Sequence, residues 1–178
     1  MEKKKKKILI GTFIALVLIG AACAGMIYYY LFAPQFHPQK TTYIYIDRDD
    51  TADSIYNKVK LQGRPRSFAG FRWMARYRKY PQNIHTGRYA IRPGENVYHV
   101  FSRLYRGYQE PMNLTVGSVR TLDRLARSIG KQLMIDSAEI AGLMNDSAFQ
   151  QKSGYHKETM PCLFIPETYQ VYWDMSAE

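Results

Sequence analysis

Residues 3–32 read KKKKKILIGTFIALVLIGAACAGMIYYYLF. Five consecutive lysines, Lys3 to Lys7, precede 25 residues, Ile8 to Phe32, without Asp, Glu, Lys, Arg, His, Asn, Gln or Pro. Coiled as a helix, that stretch spans roughly 37 Å, against about 30 Å of bilayer hydrocarbon. It reads as a single transmembrane helix. No Lys or Arg follows until Lys40, so the positive-inside rule puts Met1 to Lys7 in the cytoplasm. The remainder then lies beyond the inner (cytoplasmic) membrane. Tyr28, Tyr29 and Tyr30 stand where an aromatic belt belongs, and Pro34 blocks continuation of the helix. A cleaved signal would be cut after Ala22-Cys23-Ala24, and a lipoprotein would be acylated on Cys23. Against both, the apolar run continues for eight residues past Ala24, which favours an uncleaved anchor.

This topology governs how the composition is read. The 178 residues are 46% hydrophobic, enough for a packed core and too many for a disordered chain. Two cysteines exclude a disulfide scaffold and a four-cysteine zinc site. With Cys23 in the bilayer, Cys162 reads as a small buried hydrophobe. The formal charge is +10, and Pro34 to Glu178 carry 20 Lys+Arg against 14 Asp+Glu, a balance of +6. On a cytosolic protein that excess would point to nucleic acid. Outside the membrane it points to anionic lipid headgroups or wall polymer, and no nucleic-acid partner is expected.

The exported part reads as α+β. Ala33 to Thr41 is a short linker. Thr42–Ile46 is a first strand, and Asp50 or Thr51 caps a helix running to about Lys60. Gly63 and Pro65 break the chain. Ser67 then caps a helix from Phe68 to Tyr77. Gly87 to Ile91 is a second strand, and Asn96 to Arg106 is a helix striped by Val97, Val100, Phe101, Leu104 and Tyr105. Gly107 ends it, and Met112 to Val116 is a third strand. From Thr121 the pattern turns helical: Leu122, Leu125, Ala126, Ile129 and Leu133 share a face. A further helix is capped by Asp136 or Ser137, and Asp146 starts a short one. Lys152 to Glu158 reads as a polar loop, and Met160 to Tyr169 as a packed apolar segment. Asp174 to Glu178 resembles a helix start, so the chain is expected to be the front of a longer protein.

Conventional catalytic motifs are lacking. His37, His85, His99 and His156 are widely spaced, and neither a metal site nor a cofactor is expected. Arg64 to Arg106 holds nine Arg and one Lys against one acid, Glu95, with aromatics interleaved. Either this is a cationic surface for glycan, wall polymer or lipid, or it is an aromatic core with solvated Arg tips; the stripe pattern favours the latter and puts most Phe and Trp inside. Glu167 is the acid that stands out, since an apolar setting would raise its pKa.

Several segments, taken in order, resemble the YceG-like family of endolytic murein transglycosylases. They are Asp50-Thr51-Ala52-Asp53-Ser54-Ile55; Thr86-Gly87-Arg88-Tyr89-Ala90-Ile91 with Pro93-Gly94; Leu104-Tyr105-Arg106-Gly107; and Leu114-Thr115-Val116. The most specific is Leu163-Phe164-Ile165-Pro166-Glu167-Thr168-Tyr169, similar to the family's LFPDTY with Glu for Asp. Two places depart from the family pattern: Gly117-Ser118-Val119-Arg120 and Pro161-Cys162. The resemblance implies a basic tail over 1–7, a transmembrane helix over 8–32 and a linker over 33–41. It further implies a LysM-like domain over 42–116 and the start of a transglycosylase domain over 117–178. It implies cleavage of MurNAc–GlcNAc bonds in peptidoglycan glycan strands beside the peptidoglycan synthases, leaving 1,6-anhydro ends. The family's catalytic glutamate lies beyond residue 178, so Glu167, Thr168 and Tyr169 are expected as substrate contacts and none as catalyst. The rival expectation is a non-catalytic wall-binding or scaffold module.

Overall fold

A computed structural model describes residues 2–119, 121–156 and 159–177, and the side chains of residues 2–9, Pro161 and Cys162 lie outside the described set. The expected burial of Cys162 and the course of the chain at Arg120, Lys157, Glu158 and Glu178 therefore fall outside the described residues. The elements are α1 (Glu2–Ile27), β1 (Thr42–Ile46), α2 (Ala52–Gly63), α3 (Ala69–Tyr77), β2 (Gly87–Ile91), α4 (Val97–Tyr105), β3 (Met112–Val116), α5 (Leu122–Gly130), α6 (Ser137–Asn145), α7 (Ser147–Ser153) and β4 (Glu167–Val171). The fold is α+β, with one N-terminal apolar helix, Ile10–Phe32, of a length and composition that could cross a membrane.

Two cores form. The first encloses β1, β2 and α2 to α4. In β1, alternation turns Ile44 and Ile46 inward and Tyr45 outward. β1 pairs antiparallel with β2, Ile44 opposite Tyr89. Thr51 Oγ1 accepts from the Ser54 amide and starts α2, whose Ile55 and Val59, four apart, face the sheet. Asn96 Oδ1 accepts from the His99 amide at 2.8 Å and starts α4 in the same way.

The segment expected as a linker, 33–41, is irregular in backbone yet part of this core. Phe36 is fully buried, and Gly63 makes room for it: a Cβ there would stand 2.7 Å from the Phe36 ring. Gln35 is buried too. Its amide nitrogen donates to the Tyr29 carbonyl at 2.7 Å and its Oε1 accepts from the Ser67 amide at 3.2 Å. The end of α1 is thereby tied to the α2–α3 loop.

The second core comprises Leu114 and Val116 of β3, Leu125 and Ile129 of α5, Ile140 and Met144 of α6, and Met160. Here the structure departs from the expectation in several places. β3 does not join β1 and β2; it forms a separate two-stranded ribbon with β4, a strand the sequence reading missed. Lys152 belongs to α7 and not to a loop. Of the expected packed segment 160–169, Met160 is fully buried and Phe164 packs half-buried against the core, while Leu163 and 165–169 are exposed. The expected helix start at Asp174 is a turn at Trp173 and Asp174.

Candidate functional site

The ribbon sets the register of the expected contacts: Val116 lies opposite Glu167, Thr115 opposite Thr168, and Leu114 opposite Tyr169. Since side chains alternate across a strand, Glu167 and Tyr169 share the Leu114–Val116 face, and Thr168 points to the other. The structure thus brings two of the three expected residues to one face and turns the third away. α5 packs on β3, so Leu114 and Val116 are buried. β4 overhangs that cover, which leaves Glu167 and Tyr169 exposed. The apolar setting expected around Glu167 is replaced by an exposed strand position.

Thr168 Oγ1 stands 3.4 Å from Thr115 Oγ1 on the polar face, which also carries Asn113 and Gln170. The Tyr169 hydroxyl donates to the Ile165 carbonyl at 2.9 Å and fixes the ring over the bend that enters β4. The outer edge of β3 is closed by one side chain. Gln132 Oε1 accepts from the Thr115 amide at 3.0 Å, and Gln132 Nε2 donates to the Thr115 carbonyl at 2.9 Å. Among the described residues no strand flanks the outer edge of β4. That edge leaves the backbone groups of β4 that face away from β3 without a strand partner.

Three acids elsewhere, Glu95, Asp50 and Asp174, are committed to structure. Burial pushes the Glu95 carboxyl up, but hydrogen bonds from Arg103 and the Arg92 amide and the charges of both arginines outweigh it and hold it below the usual carboxylate range. Asp50 behaves alike: burial raises it, and hydrogen bonds from Lys58 and Ser54 bring it down further. Asp174 accepts from Thr86 Oγ1 and from Gln109 Nε2, both at 2.8 Å, and Tyr45 meets the Trp173 ring edge-on at 5.0 Å. These contacts lock the two units together.

The arginine-rich stretch divides. Arg103 bonds Glu95 and the Ala90 carbonyl, and Arg88 stacks 3.6 Å over Tyr43, so both serve the fold. Arg72 and Arg76 remain exposed and line a groove of about 650 Å³ between α2 and α3 with Tyr56, Lys60 and Lys79. Phe71 and Phe101 are in the core as expected, but Trp73 is 58% exposed. Sequence reasoning missed Gln132 and Asp174, whose roles depend on partners 17 and 65 to 88 positions away. For β4 a signal was present in the β-prone run Thr168-Tyr169-Gln170-Val171-Tyr172, obscured by Pro166.

Residues 44–178 match the sequence profile of the YceG-like family. A solved structure described as a YceG-like protein of Listeria monocytogenes is similar at 19% identity, covering 78% of this chain and 50% of that one, with a TM-score of 0.46. The chain therefore spans about half the length of that relative. No curated protein matches it. The chain belongs to the YceG-like family.

Proposed function

We propose that this YceG-like family member is the membrane-anchored front portion of an endolytic peptidoglycan lytic transglycosylase. The observation that carries the reading is the family match over 44–178 directly behind a helix of membrane-spanning length. In this reading α1 crosses the inner membrane with its N-terminus in the cytoplasm, and both units face the wall. The β1–α2–α3–β2 arrangement, two helices between antiparallel strands, fits a LysM-like unit. Peptidoglycan synthases are the expected neighbours.

The chemistry needs one carboxyl group. It gives its proton to the glycosidic oxygen as the bond to C1 breaks. It then takes the proton of the muramyl C6 hydroxyl, whose oxygen closes on C1 to leave a 1,6-anhydro end. The hydroxyl belongs to the same sugar, so its effective concentration replaces the second carboxylate or water of a hydrolase. We assign that proton transfer to a glutamate downstream of residue 178. Glu167 and Thr168 supply acceptor and hydroxyl contacts along the β4 edge, and Tyr169 presents its ring to a sugar face.

The test has two arms. Purified glycan strands are retained by the protein, and Tyr169→Ala or Glu167→Ala lowers retention several-fold; unchanged retention removes the β4 edge from the proposal. An open reading frame followed past codon 178 contains a glutamate-bearing helix, and its product releases 1,6-anhydro ends. Retention without any anhydro product from that full reading frame supports the scaffold reading.

A further inference from the structure

The outer end of α1 is built into the first unit. The chain leaves α1 through a π-helical turn, Tyr28–Phe32, in which Leu31 joins the first core. α3 lies flush against that turn: a Cβ on Gly70 would overlap the Tyr30 carbonyl oxygen. Phe32 meets Tyr98 of α4 at 5.6 Å between ring centroids. With the Gln35 clamp, these contacts give α3 one fixed height relative to α1.

That height is readable. About 20 helical residues cross the hydrocarbon, so a span beginning at Ile8 reaches the outer boundary near Ile27. Met26, Ile27, Tyr30 and Leu31 line an apolar crevice of about 510 Å³ together with Ala69, Gly70 and Trp73. Trp73 therefore sits level with the hydrocarbon boundary. Its ring lies 5.4 Å from Tyr77 with planes 2° apart, and Tyr77 is 71% exposed. On the adjoining stripe of the helix are Arg72 and Arg76, both exposed. The opposite face, Phe71, Met74 and Ala75, is buried in the core. One face in protein and the other bearing Trp, Tyr and Arg is the pattern of a helix lying in a membrane interface.

We propose that α3 is such an interfacial helix: Trp73 and Tyr77 enter the outer-leaflet boundary, and Arg72 and Arg76 bind anionic phospholipid headgroups. The inference rests on α1 spanning the membrane, and is independent of any glycan chemistry. It explains why two large aromatics are left uncovered beside a hydrophobic helix, where water would penalise them. It also fixes the tilt of the first unit, and so the distance at which the β3–β4 ribbon is held from the bilayer.

The test uses the full chain with Trp173→Phe, which leaves Trp73 as sole tryptophan while keeping a ring against Tyr45. It is reconstituted in phosphatidylcholine vesicles with and without phosphatidylglycerol. Lipids brominated near the top of the acyl chain are expected to quench most Trp73 emission. Quenching should fall about twofold or more in the added Arg72→Glu/Arg76→Glu background and in vesicles lacking phosphatidylglycerol. Resistance to carbonate extraction with unquenched Trp73 overturns the interfacial helix and leaves the anchor standing. Extraction by carbonate overturns the anchor and this inference together. Quenching indifferent to both lipid charge and the arginines overturns the headgroup assignment. Sedimentation with murein that the arginine variant abolishes would give the stripe to the wall and overturn it likewise.

Discussion

The two cores differ in how completely they close. In the first, Phe36, Ile44, Ile46, Ile55, Val59, Phe71, Tyr80 and Val97 have no exposed surface; in the second, among the described residues, Leu125 and Met160 reach that state while Leu122, Ile129 and Leu133 each keep 7%. The ion pairs divide the same way, and those among the described residues all lie between Asp47 and Glu110. The cause is geometric. The first sheet is enclosed by three helices and the end of α1, whereas in the second α5 packs on β3 and residues 167–170 of β4 stay exposed. A closed unit holds its position against the end of α1, and an open one leaves a strand edge uncovered.

The contrast is broken most directly at Phe36. Phe36→Ala removes a fully buried ring and leaves a cavity, so the first unit should lose about 3–5 kcal/mol. Denaturant unfolding of the protein in detergent measures it. A loss under about 0.5 kcal/mol would return residues 33–41 to a loose linker. Leu125→Ala tests the other side. Its neighbours are less tightly enclosed and relax more readily, so the expected loss is about 2–3 kcal/mol, at the low end for such changes. A loss exceeding that of Phe36→Ala would show the second core to be the tighter one.

Acid should separate the units next. The folded Glu95 carboxyl sits below its ordinary value of 4.5, so the unfolded chain takes up its proton first on acidification. Its stabilising contribution is complete above about pH 4.5 and disappears as pH falls through the folded value. The Asp50 group adds in the same direction. The first unit's melting midpoint should therefore drop on acidification below the ordinary carboxylate range, and Glu95→Gln should flatten that slope. An equal slope in the second unit would remove the electrostatic half of the contrast.

The local elements were legible because local physics decides them. β1, β2 and β3 begin and end where the β-prone runs do, and Thr51, Asn96, Thr121 and Asp136 cap the helices that follow them. What could not be read was pairing over distance. β3 and β4 meet across about fifty residues of chain, and nothing in Met112 to Val116 states that its partner is β4 and not β1. Phe36 reads as linker because its burial depends on Gly63 and Ile91, and Trp73 reads as core because its neighbours Phe71 and Met74 are. Of the candidate site, residue identity was visible at Glu167, Thr168 and Tyr169, but the face each occupies followed only once the register was known.

The smallest effect is the most discriminating about where the contrast resides. Thr51 and Thr121 make the same cap, each hydroxyl accepting from an amide three residues on, at 3.3 and 3.4 Å, one in each unit. Thr51→Ala and Thr121→Ala should each cost about 1 kcal/mol, because the lost bond satisfies an end-of-helix donor whatever the core beneath it. Amide exchange in the first turns of α2 and α5 reads both in one sample. Equal costs would mean that local rules act alike in the two units, so the contrast arises wholly from how much of each sheet is covered. If instead Thr121→Ala costs as much as Leu125→Ala, then α5 depends on its cap to stay seated on β3. The openness of the ribbon would then reflect a weakly held helix and not the overhang of β4.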